Sequence, residues 1–141
     1  MSYNRIHNKG PYLQEEALAG GAITPGHLIK LNSAGAVVVH STSGGACQAA
    51  FAAEDALQGE IVTHAYASAE RVTYILPGKG SVVNAMINSG ADIAIGDLLM
   101  SNGDGTLIER TATNTVVGVA TEACDLTGSG AVDTLCAVRI V

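Results

Sequence analysis

The residues whose types could do chemistry are concentrated in one stretch, His40-Ser41 followed by Gly44-Gly45-Ala46-Cys47. A hydroxyl or thiol nucleophile needs a base within hydrogen-bond reach and a third group to orient that base. Proximity along the chain supplies neither. No nucleophile signature surrounds Cys47, so the stretch reads as a small-residue loop leading into a buried thiol. Pro77-Gly78-Lys79-Gly80-Ser81 has the glycines and lysine of a phosphate loop without its GxxxxGK[ST] spacing, and reads as a turn between strands. Asn102-Gly103-Asp104-Gly105 fails as a calcium loop: with Gly105 at the required glycine, Met100 falls at the first ligand position and Thr111 at the last. His7, His27, His40 and His64 show neither i,i+4 nor HxH spacing for a metal. The acid pairs Glu15-Glu16 and Glu54-Asp55 are sequence neighbours, which do not converge on one substrate. No constellation here defines an active site, and no cofactor or metal is implied.

The elements that would have to position such groups are short. Leu28-Ile29-Lys30-Leu31 and Ala36-Val37-Val38-Val39 flank Asn32-Ser33-Ala34-Gly35. Leu98-Leu99-Met100 and Thr106-Leu107-Ile108 flank Ser101-Asn102-Gly103-Asp104-Gly105. Apolar runs around an Asn/Asp/Gly loop signal hairpins, because those residues tolerate the positive φ of tight turns. The two segments also repeat one another. Ile23, Gly26, Leu28, Asn32 and Gly35 recur without a gap as Ile93, Gly96, Leu98, Asn102 and Gly105, an offset of 70 residues (96 − 26). Ile-x-x-Gly buries one apolar residue and then bends; Asn-x-x-Gly closes the hairpin. Used twice, the unit predicts two pseudo-symmetric hairpins burying their apolar faces on one another in one small barrel, since two copies are too few for a solenoid. Further β-branched runs lie at Glu60–Thr63, Arg71–Leu76, Val82-Val83, Thr115–Val119 and Leu135–Val141. Many short strands make the expected fold class all-β, a compact β-barrel or sandwich. Ala46–Leu57 has helix-forming composition and is expected as a short strand or a single helical turn.

At 141 residues the chain is expected to be one domain, long enough to bury about 68–70% of its unfolded surface. With 17 glycines and only 14% charged residues, it resembles neither a helical bundle nor a disordered segment. Low charge and abundant Ala and Val leave apolar surface for subunit contacts. A formal net charge of −6 with seven scattered Lys and Arg excludes an electrostatic nucleic-acid footprint. No run of about 18 apolar residues is present to span a membrane. The first ten residues hold no apolar signal region, and three cysteines without a CxxC pair read as reduced thiols of a protein made in a cytoplasm.

The N-terminal segment has neither strand nor helix period. It carries Arg5, His7 and Lys9 with Ile6, Tyr12 and Leu13 as isolated apolar points around the Gly10-Pro11 break. Residues 1–21 are therefore expected as an extended arm and 22–141 as the β domain. Thirteen extended residues would reach about 40–45 Å. Ordering them would cost roughly 1–2 kcal/mol each, so Ile6, Tyr12 and Leu13 would have to bury on a partner, with strand addition satisfying the backbone.

Taken in order, Ile23-Thr24-Pro25-Gly26-His27-Leu28, Ala50–Gly59, Ala91–Leu99, Val116–Ala120 and the terminal Val138-Arg139-Ile140-Val141 resemble the capsid decoration, or cement, proteins of tailed bacteriophages. The likeness runs over residues 22–141. It implies a β-tulip domain related to the β-clip, assembled as a homotrimer on the outer capsid surface and stabilising the head shell. The implied partners are the major capsid protein and further copies of the chain, with no nucleic acid or membrane, and the implied location is the virion after assembly in the host cytoplasm. Arg5, Ile6, His7, Lys9, Tyr12 and Leu13 would be the capsid-contacting arm; Gly26, Asn32, Gly35, Gly96, Asn102 and Gly105 would be structural turns. His27 stands where the second copy has Asp97, so the shared bend is not invariant. The alternative is a β-clip-type module binding a saccharide or peptide. That would need exposed aromatic platforms, and the chain has no Trp and only Tyr3, Tyr12, Tyr66 and Tyr74. A hydrolase using Cys47 or Ser41 with His40 is the third and weakest reading.

Overall fold

Asn32 shapes the first hairpin turn by accepting the N–H groups of Ala34 (2.9 Å) and Ala36 (3.0 Å) on its own Oδ1. Asp104 does the same work in the second, accepting the Thr106 N–H at 3.0 Å. Side chains that fold back onto the backbone two residues on are what make Asn and Asp turn residues. The computed structural model describes residues 3–141 and is built almost wholly from strands joined by such turns.

In chain order the strands are β1 (His7–Lys9), β2 (Tyr12–Leu18), β3 (Ile29–Leu31), β4 (Val37–Val39), β5 (Phe51–Ala52), β6 (Arg71–Pro77) and β7 (Val82–Ile87). They continue as β8 (Asp92–Ile93), β9 (Leu98–Ser101), β10 (Leu107–Glu109), β11 (Gly118–Ala120), β12 (Cys124–Asp125) and β13 (Thr134–Ile140). One 3-10 turn, Ala56–Gln58, follows β5. The fold is all-β. Strands β7, β10, β9, β11 and β13 pair in that order, and β13 returns to β7, closing a five-stranded barrel.

The repeat is deeper than its motifs. Hairpin β3–β4 pairs Ile29 with Val39 and Leu31 with Val37; hairpin β9–β10 pairs Leu99 with Glu109 and Ser101 with Leu107, the same register shifted by 70. The bends match as well. Gly26 N–H donates to the Ala52 carbonyl at 2.8 Å, and Gly96 N–H to that of Ala120 at 2.9 Å. The substitution of His27 by Asp97 keeps one function: His27 Nδ1 accepts the Thr24 N–H at 3.2 Å, and Asp97 Oδ2 accepts the Ala94 N–H at 2.8 Å. Isolated bridges complete a second ring in the first half. Leu28↔Phe51 joins the start of β3 to β5, and parallel Ala19↔Val37 joins the end of β2 to β4, as Ile87↔Leu107 joins β7 to β10. Ile23↔Tyr66 stands where β8 pairs with β12 through Ile93↔Cys124. Residues 12–77 and 82–140 are thus two versions of one five-stranded ring.

Three expectations are corrected. The hairpins do not bury their faces on each other in one barrel. Ile23, Ile29, Val37, Val72 and Tyr74 form one core, and Ile93, Leu99, Leu107, Val83 and Val138 form the other, because each ring encloses its own inward residues. Leu28, Phe51 and Ile75 belong to the second core and weld the two rings together. The N-terminal residues are not a separate arm. Met1 and Ser2 lie outside the described residues; from Tyr3 onward the segment is folded onto the domain. Ile6 is 0% exposed in the larger core. β1 pairs antiparallel with β7, and β2 pairs with β6 over all seven residues from Tyr12↔Pro77 to Leu18↔Arg71. The backbone donors and acceptors that an arm would have saved for a partner are spent inside the chain. The run Glu60–Thr63 is also not a strand: Val62 is buried, Ile61 is exposed, and the sheet contact of this loop is made by Tyr66.

Truncating a fully buried isoleucine removes transfer energy and leaves a cavity, so Ile6→Ala is expected to cost about 2–5 kcal/mol in urea unfolding. A loss below about 0.5 kcal/mol would restore the free arm. The bends give a paired test. Gly26 and Gly96 sit at φ +96° and +93°, where any side chain is strained, but a Cβ on Gly26 would collide with Leu135 Cδ2 while one on Gly96 meets open space. Gly26→Ala should therefore lower the unfolding temperature more than Gly96→Ala.

Candidate functional site

The groups that the sequence offered for chemistry are held apart or already engaged. His40 is buried, its Nδ1 2.7 Å from Ser101 Oγ and its Nε2 3.1 Å from the Ala46 carbonyl. A carbonyl can only accept, so Nε2 carries the proton and Nδ1 accepts the serine hydroxyl. Ser41 Oγ instead accepts from Lys30 Nζ at 2.7 Å. Burial pushes the Cys47 thiol up, away from the thiolate that a nucleophile requires. Lys79 lies in the β6–β7 turn, where Ser81 is buried and donates to the Pro11 carbonyl at 2.7 Å. Among the described residues no group of three or more His, Cys, Asp and Glu side chains is placed to hold a metal ion, and no helix is long and apolar enough to cross a membrane.

The six residues assigned to an arm fall into three kinds. Ile6 is core. Arg5, 3.8 Å from Glu54 through its Nε, and His7, whose Nε2 is 2.8 Å from the Gly10 carbonyl, are surface groups tied to the body. Lys9, Tyr12 and Leu13 remain exposed, Leu13 at 70%. The His7 and Tyr12 rings lie 4.2 Å apart, linking β1 to β2. Farther up, the Tyr3 hydroxyl donates to Glu122 Oε1 at 2.7 Å, and that oxygen also takes the Ala137 N–H at 2.8 Å. Burial first, and the Glu122 carboxylate second, push the Tyr3 phenol up to about 12. Of the six turn residues, Gly26 and Gly96 lie in the bends and Asn32, Gly35, Asn102 and Gly105 in the hairpin loops.

What the sequence reading did not single out is β2 itself. Apart from half-buried Ala17, every residue of Tyr12–Leu18 is exposed, although the strand is fully paired on its β6 side. Its alternate side chains Tyr12, Gln14 and Glu16 line two adjoining clefts of about 350 and 470 Å³ against the 3-10 turn, where Leu57 is 92% exposed. Charge on these walls is mainly negative: Glu16, Asp55 and Glu70 share one cleft with Arg71, and the other holds Asp55, Glu60, which lies 3.3 Å from His64 Nδ1, and the Arg5–Glu54 pair. No alternation marks β2 in the sequence, because a strand exposed on both faces has no apolar side to alternate. The only signal was the pairing of two acids with flanking leucines.

The site is thus a sheet edge and a surface, and the fold that carries it is a duplicated five-stranded ring. No protein-family model matches the chain, and no curated protein matches it. Among solved structures it is similar in fold to the N base of the head fiber gp8.5 of bacteriophage phi29, with a TM-score of 0.62 over 93% of this chain and 95% of that one. Sequence identity is 14%, so the two chains share a fold without a sequence signature.

His27 supplies a test of the first bend. Burial lowers its imidazole below the ordinary value of 6.5, against the pull of Asp104 and Asp133. Above 6.5 neither folded nor unfolded chain is protonated there, and the bend has its full stability. As pH falls through 6.5 the unfolded chain takes the proton first, so stability is lost toward the lower folded value. His27→Asn keeps an acceptor for the Thr24 N–H and removes this titration. Its urea midpoint should fall less than that of the wild type between pH 7.5 and 5.5; equal slopes would sink the assignment.

Proposed function

We propose that the chain is a structural protein of a bacteriophage head, which binds the outer capsid surface as a homotrimer and stabilises the shell. The observation that carries this reading is the likeness in fold of 93% of the chain to the base of a phage head fiber. The surface supports it. Leu13, Leu57, Ile61, Ile95 and Val132 are each more than half exposed, which suits a chain that completes its burial in an assembly. A trimer engaging three equivalent capsid sites gains avidity well beyond each contact, so modest interfaces suffice to hold a shell. The capsid contact, in this reading, is made by the folded body and by exposed Lys9, Tyr12 and Leu13, with Ile6 serving from within.

Light scattering of the purified chain should give a mass near three protomers. The chain should also co-sediment with phage heads that lack it and raise the temperature at which those heads release DNA. A monomer that neither sediments with heads nor changes their heat release would overturn the proposal.

A further inference from the structure

The two rings treat the outer edge of their leading long strand differently. In the second ring the strand is β7. Its odd-numbered residues face β13, as the Ile140 N–H to Ser81 carbonyl bond of 2.9 Å sets the alternation. The even-numbered donors point the other way and are taken. Asn84 N–H goes to the Ile6 carbonyl at 2.7 Å, and Met86 N–H to that of Gly26 at 3.0 Å. The segment covering this edge is extended and basic, with Arg5 and Lys9 on either side of one buried isoleucine. Every residue of β7 is buried as a result.

The matching strand of the first ring is β2. Its odd residues pair with β6: Gly78 N–H reaches the Pro11 carbonyl at 3.0 Å, and Ala19 N–H that of Glu70 at 2.7 Å. By the same alternation the N–H groups of Tyr12, Gln14, Glu16 and Leu18 point outward, and no described residue accepts them. The position that β1 fills on one ring is empty on the other.

We propose that the open edge of β2 accepts an extended segment of another protein, carrying Lys or Arg at alternate positions, as an added antiparallel strand. The backbone would supply the ladder, and the acidic cleft wall of Glu16, Asp55, Glu60 and Glu70 would receive the basic side chains beside Tyr12 and Leu57. A second copy of β2 fits poorly. Fully overlapped antiparallel pairing centres on Glu15 and sets it against itself, and like charges directly opposite are destabilising. Taking the shell protein as the source of the segment rests on the head reading; the strand acceptor itself does not.

The test uses the full chain and a capped peptide of about seven residues with lysine at alternate positions and valine or threonine between. Titration should shift the amide resonances of Tyr12, Gln14, Glu16 and Leu18. Gln14→Pro removes one outward donor and leaves the β6 ladder intact, so it should weaken binding at least tenfold at an unchanged melting temperature. Glu16→Lys, which alters no backbone group, should weaken it as well, and a peptide with glutamate for lysine should not bind. Unshifted edge amides would overturn the proposal. So would equal affinity for Gln14→Pro, which means adhesion by charge alone, or self-association that protects these amides before peptide is added. An inert peptide with intact head binding removes the edge and leaves the head reading standing; a bound peptide without head binding does the reverse.

Discussion

A strand in a small ring has two rows of backbone groups, and both must find partners once the strand is buried. β7 is the strand on which this requirement bears hardest, because all six of its residues are out of water. Its inner row is met by β13 over six residue pairs, and Leu107 closes the ring at its end. Its outer row is met by Ile6 and by the bend at Gly26. An unpaired buried amide costs about 1–3 kcal/mol, so neither the N-terminal segment nor the first bend is free to leave. The same requirement ties the rings together. Gly26 can reach Met86 only if the first ring lies against the second, and its lack of a side chain is what lets it approach Leu135.

Much of this was legible in the residues. Asn32, Asp104 and the glycines beside them announced both hairpins, since their turn chemistry is local and owes nothing to packing. The repeat of Ile-x-x-Gly was legible for the same reason. Ala46–Leu57, expected as short strand or single helical turn, holds the strand Phe51–Ala52 and runs into the 3-10 turn Ala56–Gln58. What could not be read was which residues enclose which core. Val72 and Ile75 sit on opposite faces of one strand and serve different cores; alternation separates the two faces without saying which core each face meets. Within the expected arm of residues 1–21, the two strands escaped notice because β1 is only three residues long and β2 has no buried face. Both owe their order to long-range pairing, which leaves no local trace.

The candidate surface was the least legible part. Catalytic patterns declare themselves through residue type, whereas an open sheet edge consists of backbone atoms that every sequence has. Glu15 and Glu16 fit two descriptions equally well from sequence, a solvated turn or a charged edge that resists unwanted pairing. Only the comparison of the two rings separates them, because β7 shows what the β2 edge looks like when filled. Duplication thus makes the molecule its own control.

The path of the chain between the rings has a further consequence, for the order of events during synthesis. β1 belongs spatially to the second ring, yet its His7 and Lys9 leave the ribosome 76 and 73 residues ahead of their partners Val83 and Val82 (83 − 7 = 76; 82 − 9 = 73). Those partners in turn wait for β13, the strand that seals the ring at Ile140. The strands of the first ring are complete once Pro77 has emerged, and at that point Ile6 can meet only the part of its core that this half supplies, Leu28, Phe51 and Ile75. β7, the strand that receives β1, therefore gains the partner for its other row only when β13 has been made, more than 40 residues after Ile87 (134 − 87 = 47).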